Sequence, residues 1–307
     1  MGPVGCDWLL VDGSSLIFRA FYGVKDPVRA GGIQVNAIRG FLERLGRLIT
    51  QRRPLHVAVA DDSAWRPRWR VEQIPGYKSH RVAEPVPRGL EPQITVIHDI
   101  LANTGIDVVG VAEHEAEDVI ASLCALVTGT VEIASGDRDL FALVEGRRVR
   151  ILYPEKSGLS VIDEDEVARR YGIPGRRYAD FAILRGDPSD GLPGLKGVGS
   201  VAAAAMVRRY GDIAGILRER HLREADREYL ENAIAVVPPV ADLPIALPPG
   251  RRDSYPTDAA GLDAVASRYG VEGACRQLVA AMERLAARLE HPRGRGPSEP
   301  SEATRRH

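Results

Sequence analysis

Apolar runs alternate with segments of helical spacing through the first half of the chain. Runs rich in β-branched residues are predicted to be buried strands. They are Trp8 to Val11, His56 to Ala60, Ile106 to Val109, Val131 to Ala134 and Val149 to Leu152. Between them, segments such as Ala37 to Thr50 place apolar side chains on one face of a helix. This alternation predicts an α/β fold over residues 1–163, with a mostly parallel central sheet flanked by helices.

From residue 164 to residue 290 the pattern predicts helices without further strands. Helical spacing recurs in Glu164 to Tyr171, Tyr178 to Leu184, Val201 to Tyr210, Ile213 to Arg218, Arg223 to Val236 and within Leu262 to Leu289. A proline-rich connector, VVPPVADLPIALPPG at 236–250, precedes the last of these segments. Residues 291–307 have almost no apolar side chains, so we expect a disordered tail there.

The composition narrows the class of protein. With 307 residues, of which 44% are hydrophobic, the chain can bury a sizeable core as one large domain or two lobes. Cys6, Cys124 and Cys275 are widely spaced without a CxxC pair, which favours neither a disulfide framework nor a zinc site. No apolar segment reaches the roughly 18 residues of a membrane span. We therefore expect a cytoplasmic protein with no membrane partner.

The charge is nearly balanced overall but unevenly distributed. A net charge of −1 lacks the basic excess that is typical of nucleic-acid-binding proteins. Residues 66–88, however, contain six Arg or Lys residues against two acids. Aromatic residues interleave with these cations in WRPRWRVEQIPGYKSHR at 65–81, which suits a single nucleic-acid strand passing through a basic gap. A solvated charged loop is the alternative interpretation.

Carboxylates follow three of the predicted strands. Asp12 follows the first strand, Asp61 and Asp62 follow the second, and Asp137 and Asp139 lie just after the fourth. The carboxyl ends of parallel strands share one edge of a sheet, so these side chains are expected to converge there. Each motif alone is weak evidence, because a single aspartate after a strand more often caps a helix or forms a turn.

Two further acidic motifs lie at helix ends. Glu115, Glu117 and Asp118 begin a helix in HEAEDVIASL, and Asp187 and Asp190 follow a helix in GDPSD. Two like charges about 4 Å apart repel by about 4 kcal/mol at an effective dielectric constant of about 20, so the combined cluster calls for cations. Oxygen ligands alone favour Mg²⁺ or Mn²⁺ over zinc. A pair of such ions would assist displacement at phosphorus, which makes phosphodiester hydrolysis the leading chemistry and a small-molecule phosphatase the alternative.

A glycine-rich turn follows the last acidic motif. The string LPGLKGVG, followed by SVAAAAMVRRYG, predicts two helices joined by a hairpin turn. Backbone N–H groups at the start of the second helix can bind a phosphate, and such contacts position a nucleic acid without reading its sequence. A dinucleotide site is disfavoured because the turn follows a helix and not a strand. A purely structural turn is the other alternative.

The order of the motifs indicates a family. The strings are LLVDGSSLIFRAF, WRVEQIPGYKSHR, EAEDVIASL, SGDRDLFALV and GDPSDGLPGLKGVGSVAAAAM. Together they resemble the 5′-to-3′ exonuclease domain of bacterial DNA polymerase I and the wider flap endonuclease family over residues 6–290, in a free-standing form. The resemblance implies a PIN-like, resolvase-like nuclease core with a helical arch at about 65–92. It also implies a helix-three-turn-helix at about 178–211 within a helical DNA-binding region at 164–290.

The resemblance also implies an activity and its residues. The activity is a structure-specific 5′ nuclease of DNA replication and repair, which uses two or more Mg²⁺ or Mn²⁺ ions. The implied metal ligands are a first cluster of Asp12, Asp62, Glu115, Glu117 and Asp118 and a second of Asp137, Asp139, Asp187 and Asp190. Implied catalytic residues are Lys78 and Arg81, at the scissile phosphate, with Asp12, Asp62, Asp137 and Asp139.

Further residues are implied to contact DNA. Tyr77 would stack on the terminal base, beside Lys78 and Arg81, and Arg70 would be another basic contact. The hairpin would hold duplex DNA, together with a potassium ion, through Gly194, Lys196, Gly197, Val198 and Gly199. The expected partners are DNA with 5′ flaps, nicks or 5′ ends and a polymerase or ligase, with the chain acting as a monomer.

Some positions depart from the family pattern. Glu117 stands where an aspartate is common, and Gly191 replaces an asparagine. The second strand motif reads ADDSA, so Asp62 is assigned as the ligand with Asp61 as the alternative. Two other functions stay open, a protein that recognises DNA flaps or gaps with weak or no cutting and a PIN-type RNA nuclease.

Overall fold

The structure is a computed structural model that describes residues 5–23, 28–83, 86–156 and 158–290. The predicted disordered tail, 291–307, lies outside the described residues, as do residues 84 and 85 of the predicted arch segment. No helix within the described ranges is long and apolar enough to cross a membrane.

A six-stranded sheet forms the centre of the molecule. The strands of the described residues are β1 (Trp8–Asp12), β2 (Arg29–Ala30), β3 (Ile33–Gln34), β4 (His56–Ala60), β5 (Asp107–Val109), β6 (Val131–Ala134), β7 (Val149–Glu155) and β8 (Gly158–Ile162). The strand order is β5-β4-β1-β6-β7-β8, and every neighbouring pair is parallel except β7 and β8. The predicted mostly parallel sheet is confirmed. The antiparallel edge strand β8 and the small β2–β3 hairpin were not predicted, because both are short and largely exposed.

Helices flank the sheet and make up most of the second half of the chain. They are α1 (Gly13–Tyr22), α2 (Asn36–Arg52), α3 (Arg68–Gln73), α4 (His80–Ala83), α5 (Glu91–Thr104), α6 (Ala116–Leu126), α7 (Glu164–Tyr171), α8 (Tyr178–Arg185), α9 (Ser200–Tyr210), α10 (Ile213–Glu219), α11 (Glu224–Val236), α12 (Ala259–Tyr269) and α13 (Glu272–Glu290). Helix α1 was not predicted, because it begins directly after β1 with Gly13, Ser14 and Ser15, which are not strong helix formers.

Apolar side chains of the strands pack into two hydrophobic cores, one on each face of the sheet. Leu10, Ala58 and Ile133 point to one face, where they pack with α6 and with helices α8 to α11. Leu9 and Val57 point to the other face, where they pack with α1, α2, α5, α12 and α13. The alternation follows from the two-residue period of a strand. The last two helices therefore pack on the α/β core, on the face of the sheet opposite the hairpin residue Leu195.

The proline-rich connector is tied to the core by backbone hydrogen bonds. The N–H of Val240 donates to Asp118 Oδ1 at 2.8 Å, and the N–H of Leu243 donates to Ser122 Oγ at 3.2 Å. Further along, Val57 donates to the Gly250 carbonyl at 2.7 Å. The connector thus crosses α6 and the amino-terminal part of β4 before it reaches α12.

Candidate active site

A cavity of about 510 Å³ lies at the carboxyl ends of β1, β4 and β6. Carboxylates from several separate elements line it: Asp12, Asp62, Glu115, Glu117, Asp137, Asp139, Asp187 and Asp190. The structure therefore brings together eight of the nine carboxylates that the sequence predicted as metal ligands. Asp61 points elsewhere, with Oδ2 3.3 Å from His98 Nε2.

Asp12 and Asp62 are fixed at the ends of adjacent strands. Asp12 Oδ1 accepts a hydrogen bond from Ser15 N–H at 3.0 Å and so caps α1, while Oδ2 accepts one from Ser135 Oγ at 2.5 Å. Asp62 Oδ1 accepts from Ala116 N–H at 2.7 Å. Burial raises the pKa of Asp12 to about 7 and also raises the pKa of Asp62. Both side chains are therefore positioned by the backbone, although burial disfavours their charge.

Three carboxylates lie close enough to share one ion. Oxygen atoms of Glu117, Asp137 and Asp139 all lie within 4.8 Å of one another. Burial, followed by the neighbouring carboxylates, raises the pKa of Asp139 well above its usual range, and burial raises that of Glu117 to about 8. Ionised carboxylates this close repel one another unless a cation neutralises them. The donor set contains only hard oxygens, which fits a divalent ion of the Mg²⁺ type.

The loop after α8 carries the last two carboxylates. Asp187 Oδ1 accepts from Ser189 N–H at 3.0 Å, and its Oδ2 lies 3.1 Å from Arg185 Nη2. Gly191 has a φ of +71°, and a Cβ atom there would lie 1.9 Å from the Gly76 carbonyl oxygen. A glycine is thus required where this loop meets the segment between α3 and α4. The asparagine expected from the family pattern would not fit this backbone approach.

Arg70 lies at the centre of a buried ion cluster. Its Nη1 atom is 2.5 Å from Glu115 Oε2 and 2.5 Å from Glu117 Oε1, and its Nη2 atom is 2.6 Å from Asp118 Oδ1. Nη1 also donates to the Tyr77 hydroxyl at 3.0 Å. The side chain of Arg70 is fully buried. Its guanidinium therefore faces the carboxylates from inside the protein, and not a surface that DNA could reach.

Asp118 lies behind the cavity and does not line it. Its Oδ1 atom accepts from Arg70 and from the Val240 N–H, and its Oδ2 atom accepts from the Glu115 N–H at 3.3 Å. The last bond is half of a capping box at the start of α6. Both carboxylate oxygens are thus occupied by the protein itself.

Two cations of the arch segment meet Glu115. Lys78 Nζ lies 2.7 Å from Glu115 Oε1 and 3.8 Å from Asp190 Oδ1, and Arg81 Nη1 lies 3.0 Å from the same Glu115 oxygen. Burial opposes the charge of Glu115, but Lys78 and the other nearby cations outweigh it and lower its pKa to about 2. The pKa of Lys78 is held well above its usual range by the surrounding carboxylates, against burial. Glu115 therefore carries the charge that holds the arch cations at the cavity.

Aromatic rings at the cavity differ from the one predicted. Tyr77 is only 3% exposed, and its hydroxyl donates to Glu115 Oε2 at 2.7 Å. Phe18 and Trp65 instead line the cavity and stack with ring centroids 5.0 Å apart, and Tyr22 beside them is 69% exposed. The α1 residues were not predicted from the sequence. If Asp12 is taken as a helix cap, the sequence predicts a helix directly after it, and that helix would have placed Phe18 and Tyr22 near the site.

The glycine-rich hairpin is placed beside the last carboxylates. Leu195 N–H donates to the Leu184 carbonyl at 3.0 Å, which folds the turn back on α8. Gly194 donates to the Tyr229 hydroxyl at 3.3 Å. Lys196, Gly197 and Gly199 are exposed, Val198 is half-buried, and α9 begins at residue 200. The exposed backbone at this helix start is a surface that can accept an anion.

The charge of the cavity lining is strongly negative. Eight carboxylates line it against four cationic side chains, which are Arg19, Lys78, Arg81 and Arg138. When all eight carboxylates are ionised, the lining has an excess of four negative charges, which suits divalent cations, and Lys78 and Arg81 suit a phosphate. The arrangement is therefore able to hold metal ions against a phosphodiester.

Two family models match the chain in sequence. One, described as "5'-3' exonuclease, N-terminal resolvase-like domain", matches residues 7–172, and the other, "5'-3' exonuclease, C-terminal SAM fold", matches residues 173–241. A protein named 5'-3' exonuclease from Streptomyces coelicolor is 45% identical over 302 residues, covering 88% of this chain and 98% of that protein. Another of the same name from Mycobacterium tuberculosis is 38% identical over 311 residues, covering 90% and 98%.

Solved structures share the fold at low sequence identity. The T5 D15 protein, co-crystallised with metal ions, superposes with a TM-score of 0.62 at 18% identity, covering 91% of this chain and 99% of that chain. Flap endonuclease-1 from Methanococcus jannaschii superposes with a TM-score of 0.59 at 16% identity, covering 92% and 93%. The resemblance drawn from the motifs is confirmed, and the chain belongs to the 5′-3′ exonuclease family.

Proposed function

We propose that this chain is a structure-specific 5′ nuclease that hydrolyses phosphodiester bonds of DNA at 5′ flaps and 5′ ends. The observation that carries the proposal is the single cavity that holds eight carboxylates beside Lys78 and Arg81. Carboxylates alone would also fit a phosphatase for small molecules. The basic segment over the cavity and the hairpin beside it favour a polymeric substrate.

The carboxylates of the cavity would hold Mg²⁺ or Mn²⁺. Glu117, Asp137 and Asp139 are the tightest group, and Asp12, Asp62, Asp187 and Asp190 line the same cavity. When bound, such ions neutralise charge at phosphorus and activate water for attack. Asp118 is assigned a different role, because both its oxygens already accept hydrogen bonds from the protein. It would orient Arg70 and the start of α6.

Lys78 and Arg81 would contact the phosphate that is cut. The ammonium group of Lys78 has three donors and the guanidinium of Arg81 has five, and Glu115 engages only part of each set. Arg81 Nη1 also donates to the Trp65 carbonyl at 2.7 Å, and Lys78 is only 3% exposed, so the remaining donors would meet a phosphate inside the cavity that both side chains line. Because Glu115 keeps a low pKa, it would hold both cations in place through the reaction. Lys78 stays protonated and acts through its charge.

Arg70 and Tyr77 would position other groups, and neither would touch DNA. Both side chains are buried and bonded to Glu115. The base-stacking role that the resemblance gave to Tyr77 fits Phe18 and Trp65 better, since their stacked rings line the cavity. An exposed base could extend this stack, which is worth about 1–3 kcal/mol per base in other proteins.

The hairpin would hold the duplex part of the substrate. Its exposed N–H groups at Gly197 and Gly199, with Lys196, suit a backbone phosphate, and a potassium ion is part of the proposal. The proposal also keeps the predicted start of the helical region at residue 164, although α12 and α13 pack on the α/β core. It further keeps a monomeric chain and a polymerase or ligase as a partner.

A labelled 5′-flap duplex tests the proposed function. The wild-type chain should cut the flap near its junction in Mg²⁺ or Mn²⁺ and not in EDTA, and should act slowly on an RNA flap of the same shape. Asp137→Ala should lower the rate at least about 100-fold, since electrostatic groups at a reaction centre contribute that much or more. Asp61→Ala is the matched control, because its carboxylate points away to His98.

Several outcomes would reject the proposal. No cutting by the wild-type chain in either metal would favour a protein that only binds flaps. Faster cutting of the RNA flap would favour the PIN-type RNA nuclease. Undiminished cutting by Asp137→Ala would mean that the chemistry lies outside this cavity.

A further inference from the structure

A second cleft, of about 240 Å³, lies against the wall of the catalytic cavity. It is lined by Arg19 of α1, by Arg44, Arg47 and Gln51 of α2, and by the adjoining ends of β7 and β8. Arg44, Arg47 and Gln51 are three, four and seven residues apart, so they share one face of α2. Arg19 lines both the cleft and the catalytic cavity, so the two spaces are neighbours.

Among the described residues, no acidic side chain pairs with the three arginines of the cleft. Within residues 5–23, 28–83, 86–156 and 158–290, none of them forms an ion pair. Glu155 also lines the cleft, but its carboxylate is bonded to Arg170 at 2.7 Å and to Ser160 at 2.7 Å. Partial burial and the charges of Arg19 and Arg47 lower the pKa of Arg44. The protein thus holds three positive charges together without compensating them.

Like charges kept together in a cleft indicate a ligand of opposite charge. Guanidinium groups bind phosphate and carboxylate through paired hydrogen bonds. Gly136 beside the cavity leaves room for Arg19, since a Cβ atom there would lie 3.1 Å from Arg19 Cδ. A phosphate in the cleft would therefore be next to the catalytic cavity.

The position of the cleft relative to the hairpin favours nucleic acid over a free phosphate. The hairpin residue Leu195 packs on one face of the sheet, whereas α1 and α2 cover the opposite face. The catalytic cavity lies between them, at the carboxyl edge of the strands. A polymer that passes the cavity can reach the hairpin on one side and the arginines on the other.

We infer that Arg44 and Arg47, with Arg19, bind a backbone phosphate of the DNA substrate on the side of the cavity opposite the hairpin. This inference rests on the proposed function, because it takes DNA as the polymer. Contacts of this kind position the substrate without reading its sequence. The chain would then hold its substrate on both sides of the bond that is cut.

The salt dependence of DNA binding tests this inference. Binding of a nicked duplex with a 5′ flap is measured in EDTA, so that no cutting is needed, at several salt concentrations. Arg44→Gln/Arg47→Gln should weaken binding roughly 10-fold, as expected for lost charge-assisted hydrogen bonds. It should also reduce the slope of log K against log[salt] by about 1, since each phosphate contact contributes about 0.9. Arg39→Gln removes one positive charge from another face of α2, where Arg39 contacts the Gly270 carbonyl, and should change neither value.

Two further measurements distinguish a loss of phosphate contacts from a loss of folding. The double variant should unfold at the same temperature as the wild type or higher, because it removes like-charge repulsion. Gln51→Glu, which keeps all three arginines but adds a negative charge at the cleft, should also weaken DNA binding. An unchanged salt slope of DNA binding in both Arg44→Gln/Arg47→Gln and Gln51→Glu would overturn the inference. Binding of inorganic phosphate to the wild type and to the double variant is measured alongside. If the double variant lost phosphate binding but kept the wild-type salt slope for DNA, the inference would also be overturned. A wild-type chain that binds with this arginine-dependent slope but cuts no flap would keep the inference and reject the proposed function.

Discussion

Arg70 illustrates how one buried side chain organises the candidate site. It contacts Glu115 and Glu117, which line the cavity, and Asp118, which does not. A buried carboxylate without a counterion is costly, and removal of one partner from such a cluster costs more than the pair contributes. Arg70 therefore orients these three side chains and supplies the positive charge at the centre of the cluster.

Replacement of this guanidinium should be strongly destabilising. Arg70→Met leaves three carboxylates without their shared cation, so we expect the free energy of unfolding in EDTA to fall by about 3–5 kcal/mol at pH 7. Urea denaturation followed by circular dichroism measures the change. Arg68→Met in the same helix is the matched control, because Arg68 makes one exposed ion pair and should cost less than about 1 kcal/mol. Equal losses in the two variants would contradict the role given to Arg70.

At the scale of elements, the arch segment and the loop after α8 meet through their backbones. Lys78 N–H donates to the Asp190 carbonyl at 3.0 Å, and Gly191 lies against Gly76. The same backbone contact therefore fixes the positions of Lys78 in the arch segment and Asp190 in the loop. The absence of a side chain at position 191 allows this close approach.

Gly191→Ala should disturb both elements at once. An alanine there is strained by its φ of +71° and collides with the Gly76 carbonyl, so Lys78 and Asp190 should shift. We expect flap cleavage to fall at least about 10-fold, because displacements of about 1 Å are costly in catalysis. Gly146→Ala is the control, since Gly146 has a φ of +47° but nothing within 4 Å of the added Cβ. Similar cleavage rates in the two variants would show that the contact is not needed.

The sequence predicted elements better than it predicted which side chains face the cavity. Asp12, Asp62 and Asp137 were found because parallel strands end at one edge, whatever the packing around them. Asp118 was grouped with the ligands because spacing along a helix does not reveal a bond to a distant backbone such as Val240. Arg70 belongs to a segment whose basic composition is typical of an exposed loop. Only the tertiary contacts of α3 show that the Arg70 side chain is buried.

For the whole molecule, the crowding of carboxylates links stability to pH. Burial raises the pKa of Asp12 from its ordinary value near 4 to about 7 and that of Glu117 to about 8, so the folded chain binds protons that the unfolded chain releases. Stability without metal should therefore fall as pH rises from about 5 to about 8. Glu115, with a pKa lowered to about 2, has the opposite effect and stabilises the fold less below about pH 4.5.

Urea midpoints between pH 5 and pH 8 measure this dependence. In EDTA the midpoint should decrease with pH, and saturating Mg²⁺ should reduce the decrease because it neutralises the same carboxylates. Asp139→Asn should flatten the profile in EDTA, since it removes one carboxylate whose pKa is raised by burial and by Asp137. A midpoint that rises with pH in EDTA would contradict the assignment of these carboxylates to one buried cluster.

The short chain segment between α8 and α9 has a consequence for the products. It carries Asp187 and Asp190 at the cavity and then the hairpin, and it is braced where Leu195 bonds to Leu184 and where Gly194 packs against Gly186. These two parts are joined without a flexible linker. The protein therefore keeps a constant distance between the scissile bond and the duplex contact. Fragments released from flaps of different sequence should therefore end at the same nucleotide, counted from the junction.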